Sequence, residues 1–187
     1  SIFDNGGLGI DIVPNGATTG IPNESSTIQG VTPNDGGFYA SGNGNNHMDY
    51  PVITSASLSG TTLTINGYVG RATAGAGSDT DFANAIVEVF IADDSPSNQN
   101  GAIHNADGLN VPHGEGRTYL GQCTADGNGN IVNCSITGVS GLTSADTLTS
   151  TARGAVAGSV NSTSEFGPNA PVTVLPTLTK AFNPTQI

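Results

Sequence analysis

The sequence predicts an all-β chain of two packed antiparallel sheets, and three observations predict it. Thr, Val, Ser, Asn and Gly dominate, with 27 glycines in 187 residues, one Met, six Phe, four Tyr and no Trp. Thr and Val favour strands, whereas Gly, Asn and Asp favour turns. No long stretch keeps a helical period. From residue 51 onward, short runs of alternating apolar and polar residues recur at regular spacing between Gly, Asn and Asp clusters. At this length folding can hide roughly 70% of the unfolded chain's surface, so a sizeable core is within reach.

Residues 1–13 pair short apolar groups around the Asn5-Gly6-Gly7 corner, as a short strand turning sharply into another does. Residues 14–50 are rich in Gly, Asn, Thr and Pro without periodicity. A stretch that long is functional, ordered by an ion, or mobile. The strands follow. Residues 52–58 alternate modestly; 61–69 alternate well, with Leu63, Ile65 and Tyr68 as inward residues. Residues 85–92 (Ala-Ile-Val-Glu-Val-Phe-Ile-Ala) are the most apolar run and read as a central strand. Residues 117–124 and 131–137 flank Asp126-Gly-Asn-Gly-Asn130, a hairpin signal. Residues 147–156 and 172–179 complete a series of about seven strands, the number and spacing of an immunoglobulin-like antiparallel β-sandwich. A long insertion, residues 93–116, interrupts it. The predicted organisation is an irregular Gly/Asn-rich extension over 1–50, a sandwich over 51–175, and an extended C-terminal strand over 176–187.

Charge excludes some partners. Fifteen acids against four bases leave a net charge of −11. Nucleic acid and anionic lipid would be repelled. No apolar run reaches transmembrane length, so membrane insertion is not expected. The chain starts at Ser1 without Met, as a processed protein or an excerpt of a longer one does.

Cys123 and Cys134 lie symmetrically about the Asn128–Gly129 step. If that step is a hairpin turn, the cysteines face each other across neighbouring strands. Tyr119 then shares a face with Cys123, and Val132 and Ile136 share one with Cys134. The expected outcome is a structural disulfide near the core, made in an oxidising compartment. A redox pair or half a metal site is the alternative. The spacing is not Cys-x-x-Cys, and no cysteines remain for zinc.

Several segments resemble, in order, one family. Asn5-Gly-Gly-Leu-Gly-Ile-Asp-Ile12 with Gly30-Val-Thr-Pro-Asn-Asp35 is similar to the last rung of a right-handed parallel β-helix and the linker after it. Tyr50-Pro-Val-Ile-Thr-Ser55, Val87-Glu-Val-Phe-Ile-Ala-Asp93, Gly114-Glu-Gly-Arg-Thr-Tyr-Leu-Gly121, Asp126-Gly-Asn-Gly-Asn130 and Thr163-Ser-Glu-Phe166 resemble the Ig-like module that follows such β-helix repeats in bacterial secreted and cell-surface proteins. The tail, 178–187, resembles the start of a further Ig-like repeat. The 93–116 insertion, which holds two histidines, departs from the pattern. The resemblance implies an extracellular, cell-surface architectural module of the kind found in surface layers and adhesins, with no defined reaction.

Candidate sites divide by chemistry. Asp93, Asp94, Asp107 and Glu115 lie in or beside the insertion, and Asp79 and Asp81 on the loop before the central strand. Ca²⁺ takes six to eight oxygens of this kind, so Ca²⁺ is the cofactor the pattern suggests. The competing reading is a solvated acidic loop. Asp11, Asp35 and Asp49 form a second acidic group along the N-terminal segment. Three loop histidines, His47, His104 and His113, would be needed for a zinc site, but no His-Glu-x-x-His helix accompanies them. No nucleophile elbow or phosphate loop is present, and among fifteen acids a nearby carboxylate pair carries no information about glycoside hydrolysis. The chain is therefore read as non-enzymatic. Both ends look like strands in need of partners. Leu178, Ala181 and Phe182 are the alternate side chains of a strand that could complete a neighbour's sheet. Expected partners are other copies of the chain, adjacent domains of the same long chain, or a surface glycan. The last belongs to the second reading, a carbohydrate-binding adhesion module, in which Phe38, Tyr39 or Tyr50 would supply the platform.

Overall fold

The structure, a computed structural model, describes residues 2, 9–10, 31–32, 34, 36, 44–70, 80–93, 111–154 and 162–176. Strands β1 (Pro51–Ser59), β2 (Thr62–Val69), β3 (Ile86–Asp93), β4 (Glu115–Thr124), β5 (Asn130–Thr137), β6 (Thr147–Arg153), β7 (Ala170–Pro171) and β8 (Thr173–Val174) form two four-stranded sheets. One sheet is ordered β5-β2-β1-β8 and the other β4-β3-β6-β7. All pairings are antiparallel except β1 with β8. The chain is an immunoglobulin-like sandwich.

Alternation builds the core. Leu63 and Ile65 of β2, Val87 and Val89 of β3 and Leu148 of β6 are fully enclosed between the sheets, with Ile131 and Ile136 of β5 against them. As expected, β3 is an interior strand and Leu63 and Ile65 join the core between the sheets; Tyr68, expected to face inward, is buried outside that core, which its neighbour Val69 joins instead. Burial raises the pKa of the Tyr68 hydroxyl above its ordinary value. β1 carries one extra residue between Ile53 and Ser55, and β5 one extra residue opposite the step from Ile65 to Gly67. A side chain at Gly67 would place Cβ 2.3 Å from the Val52 carbonyl oxygen, so only glycine fits where β1 folds over it. Asn66 clamps the distortion. Its Oδ1 accepts the Asn133 N–H at 2.8 Å and its Nδ2 donates to Ser55 Oγ at 3.2 Å. Asn133 sits at φ +46°, a region asparagine enters more readily than most residues.

Three expectations need correction. The segments around Asp126–Asn130 are not a hairpin. β4 pairs with β3 and β5 with β2, so the chain crosses from one sheet to the other at this loop. Asp126 organises the crossing: its Oδ1 accepts the N–H of Asn128 and of Asn130. Tyr119 does not share the inward face of Cys123. The register slips between the Val89–Gly121 and Phe90–Tyr119 pairs, which turns Tyr119 outward, and it is 49% exposed. Val132, for its part, is displaced by the Asn133 bulge and is 64% exposed. Alternation cannot anticipate such slips, because one inserted residue moves everything beyond it to the other face.

Of the strand expected over 172–179 the described residues carry β8 alone, and a further short strand, β7, precedes it. Residues 163–171 run beside β6, through Ser164 N–H to the Ala152 carbonyl and Gly167 N–H to the Ser150 carbonyl, both 2.8 Å. After Pro171 the chain changes sheet, and β8 joins β1 through the pairs Ser57–Thr173 and Leu58–Val174. Among the described residues no helix is long and apolar enough to cross a membrane.

Candidate functional site

Cys123 and Cys134 form a disulfide with Cα atoms 5.8 Å apart. Cys123 is buried on β4 and Cys134 half-buried on β5. The bridge therefore ties one sheet to the other between their edge strands, where it closes one side of the sandwich. A disulfide fits an extracellular setting.

A second constellation gathers buried polar groups where the N-terminal segment meets the sandwich. Asp49, Asp93, Glu115, Glu165 and His113 are all buried. Glu165 accepts the Thr32 N–H at 2.7 Å and the Thr32 hydroxyl at 3.2 Å. Asp49 accepts the Gly36 N–H at 2.9 Å. Between them, Asn34 donates from Nδ2 to the carbonyls of Tyr50 and Gly70 and accepts the Tyr50 N–H. Further along, Asn46 donates to Ser162 Oγ and Asn45 to the Thr163 carbonyl. Carboxylate-to-amide bonds are about twice as strong as neutral ones. They explain how an aperiodic Gly/Asn-rich stretch is held: its backbone donors dock on acceptors fixed by the sandwich. Of the acidic group suggested along this segment, Asp49 serves this docking role, and Asp11 and Asp35 lie outside the described residues.

His113 is packed into the same region. Its Nδ1 lies 2.8 Å from the Phe166 carbonyl, and its ring meets Tyr50 edge-on with centroids 5.1 Å apart. Phe90 contacts both Tyr119 and Phe166 edge-on. Gly116 leaves room for this cluster, since a Cβ there would approach Phe166 to 2.8 Å and Phe90 to 2.9 Å. Ile2 forms a bridge to Gly116, its N–H donating to the Gly116 carbonyl at 3.0 Å. Ile2 thus sits at the outer edge of β4. His104 and the side chain of His47 lie outside the described residues, so the histidine trio is represented by His113 alone.

The acidic residues suggested for Ca²⁺ are distributed as follows. Asp93 and Glu115 are direct cross-strand partners at the end of β3 and the start of β4, and both are buried. Directly opposite residues bring their Cβ atoms to about 5 Å. Asp81 is exposed on a short 3₁₀ turn, Thr80–Phe82, just before β3. It therefore stands before the Ile86 end of β3, and Asp93 closes the other end of that strand, which spans about 23 Å. Asp79, Asp94 and Asp107 lie outside the described residues, as do Leu178, Ala181 and Phe182. Among the described residues no group of three or more His, Cys, Asp or Glu is placed to hold a metal ion.

Two further carboxyls have lowered pKa values. The N–H groups of Asn130 and then Asn128 hold the Asp126 carboxyl below its ordinary range. The Thr143 hydroxyl does the same for Asp146, assisted by the Thr143 N–H and the Arg117 charge. Asp146 links the loop before β6 to Arg117 of β4 at 3.4 Å. Both carboxyls order loops. Sequence reasoning missed Glu165 and Asn34, whose partners lie 133 and 16 residues away. No local pattern marks such distant pairings.

No protein-family model and no solved structure matches this chain.

Proposed function

We propose that this chain is a non-enzymatic, extracellular structural module of a prokaryotic surface protein, a filament or surface-layer subunit that assembles by β-strand donation. The observation that carries the reading is how the described chain leaves the sandwich. β8 pairs with β1 over only two residues, Leu175 N–H donates to the Leu58 carbonyl at 2.8 Å, and Val174 and Leu175 are exposed. Among the described residues β8 is the last strand of its sheet, and Leu178, Ala181 and Phe182 follow in sequence, Leu178 and Phe182 at positions that share one face of a strand. Added strands bind through backbone hydrogen bonds and select through alternate side chains. The bridge of Ile2 to Gly116 supports β4 as an edge able to accept such a segment. Head-to-tail contacts of this type propagate rather than close.

Calcium enters the proposal through Asp93 and Glu115. The paired carboxyls of Asp93 and Glu115 are oxygen donors of the kind Ca²⁺ takes. The test is electron microscopy of the purified chain, intact and lacking 176–187, with and without chelator. Filaments or ordered arrays are expected from the intact chain, no filaments from the truncated one, and less ordered assemblies after chelation. Polymerisation of the truncated chain to the same extent would overturn strand donation; indifference to chelator would remove calcium from the proposal.

A further inference from the structure

Charge is segregated between the two sheets. Strands β1, β2, β5 and β8 contain no Asp, Glu, Lys or Arg. The opposite sheet carries Glu88, Asp93, Glu115, Arg117 and Arg153. In a chain of net charge −11 an entirely neutral sheet is an exception. Its register also lines up hydroxyls. Thr173, Ser57, Thr64 and Ser135 fall in one row across all four strands, and Thr62 stands opposite Thr137 in the next. The intervening Leu58, Leu63 and Ile136 are buried, so the hydroxyl residues alternate to the outer face. Ser135, Thr137 and Thr173 are exposed there, and Ser57, Thr62 and Thr64 half-buried.

We infer that this uncharged outer face of the β5-β2-β1-β8 sheet is a lateral contact surface for a second copy of the chain. Two arguments favour a copy over another occupant. Copies of a strongly acidic chain repel wherever charged faces meet, and this face brings two of them together with the least repulsion. Hydroxyl groups also both donate and accept, so one hydroxyl row is complementary to another like it. A two-fold contact needs such self-complementarity. The size sets the strength. Three strands of about 27 Å and the two-residue β8, at about 4.8 Å spacing, give a face of about 420 Å² per copy. Paired, that is about 850 Å², less than a specific interface between two free molecules needs. The contact is weak between two molecules and becomes effective when many copies are held in an array. It does not depend on strand donation.

The test is sedimentation velocity of the full chain, and of the chain lacking 176–187, across protein concentration at low and high salt. Both forms are expected to self-associate weakly. Higher salt should strengthen association, because it screens the net charge. Thr64→Glu and the more exposed Ser135→Glu should each weaken it at least tenfold while circular dichroism stays that of the parent. Thr118→Glu, at an exposed position on the other sheet, should leave it unchanged. Monomers at every concentration and salt, or Glu variants that associate like the parent, would overturn the inference. So would saturable binding of a neutral polysaccharide by a monomeric chain that Ser135→Glu abolishes, which would assign the face to a glycan. Loss of all association on deleting 176–187 alone would attribute assembly to the tail and overturn the lateral contact.

Discussion

Breaking the Cys123–Cys134 bridge should cost about 3 kcal/mol and loosen two strands that are not neighbours in any sheet. The bridge spans a sequence separation of 11. Loop-closure entropy for a ring of about 12 residues is about 9.5 cal/mol/K, or about 2.8 kcal/mol at 25 °C. For a domain of this size that lowers Tm by about 10 °C. The double variant Cys123→Ala/Cys134→Ala also deletes a buried sulfur at Cys123, which adds up to about 1 kcal/mol. Reducing the wild-type protein separates the two contributions, since reduction removes only the link. Thermal unfolding by circular dichroism gives the magnitude, and amide hydrogen exchange gives the location. Because the bridge joins β4 to β5 across the sandwich, exchange should quicken along the outer parts of both edge strands. A Tm within about 2 °C of the parent after reduction would refute the entropic argument. Faster exchange confined to residues 125–130 would refute the inter-sheet placement and restore a local hairpin.

Other outcomes follow from the same geometry. Gly67→Ala drives a Cβ against the Val52 carbonyl and should destabilise by about 3 kcal/mol in urea titration, with the loss traced to the β1 bulge. Asn66→Ala removes the acceptor of the Asn133 N–H; about 1 kcal/mol is expected, with faster exchange at Asn133 by NMR. Glu165→Ala should cost about 2 kcal/mol and release Thr32 from protection, whereas Glu165→Gln, which keeps one acceptor, should cost about half as much. The pH dependence has a definite sign. Asp126 and Asp146 have folded-state pKa values below the ordinary carboxyl value of about 3.9, so their stabilisation is complete above that pH and is lost as pH falls through the lower folded values. Asp126→Ala should therefore flatten the fall of Tm below about pH 4, and an unchanged acid limb would count against the Asn128 and Asn130 bonds.

Much of the fold was legible because it rests on local chemistry. β-branched alternation placed β1, β2, β3 and β5 within a residue or two of their observed bounds. The run at 85–92 announced an interior strand because both its faces are covered, which leaves little room for polar residues. The site was far less legible. Asp93 and Glu115 are 22 positions apart in sequence and meet only because β3 and β4 pair in that register. Asp81, grouped with them by sequence proximity to β3, stands at the opposite end of the strand. The N-terminal segment showed no period because side-chain carboxylates and the Asn34 amide, not a ladder, satisfy its described backbone groups.

By itself the sequence determined that the chain is built of strands, that two cysteines meet near a turn, and that its surface is acidic. These properties follow from which residues stand next to one another. Only the tertiary structure decided that the turn at Asp126–Asn130 crosses between sheets, that Tyr119 and Val132 face outward, and that one sheet is free of charge. Those depend on register. A single extra residue in a strand reverses every side chain beyond it, and pairing partners are chosen by the packing of the whole sandwich rather than by the two strands a turn connects.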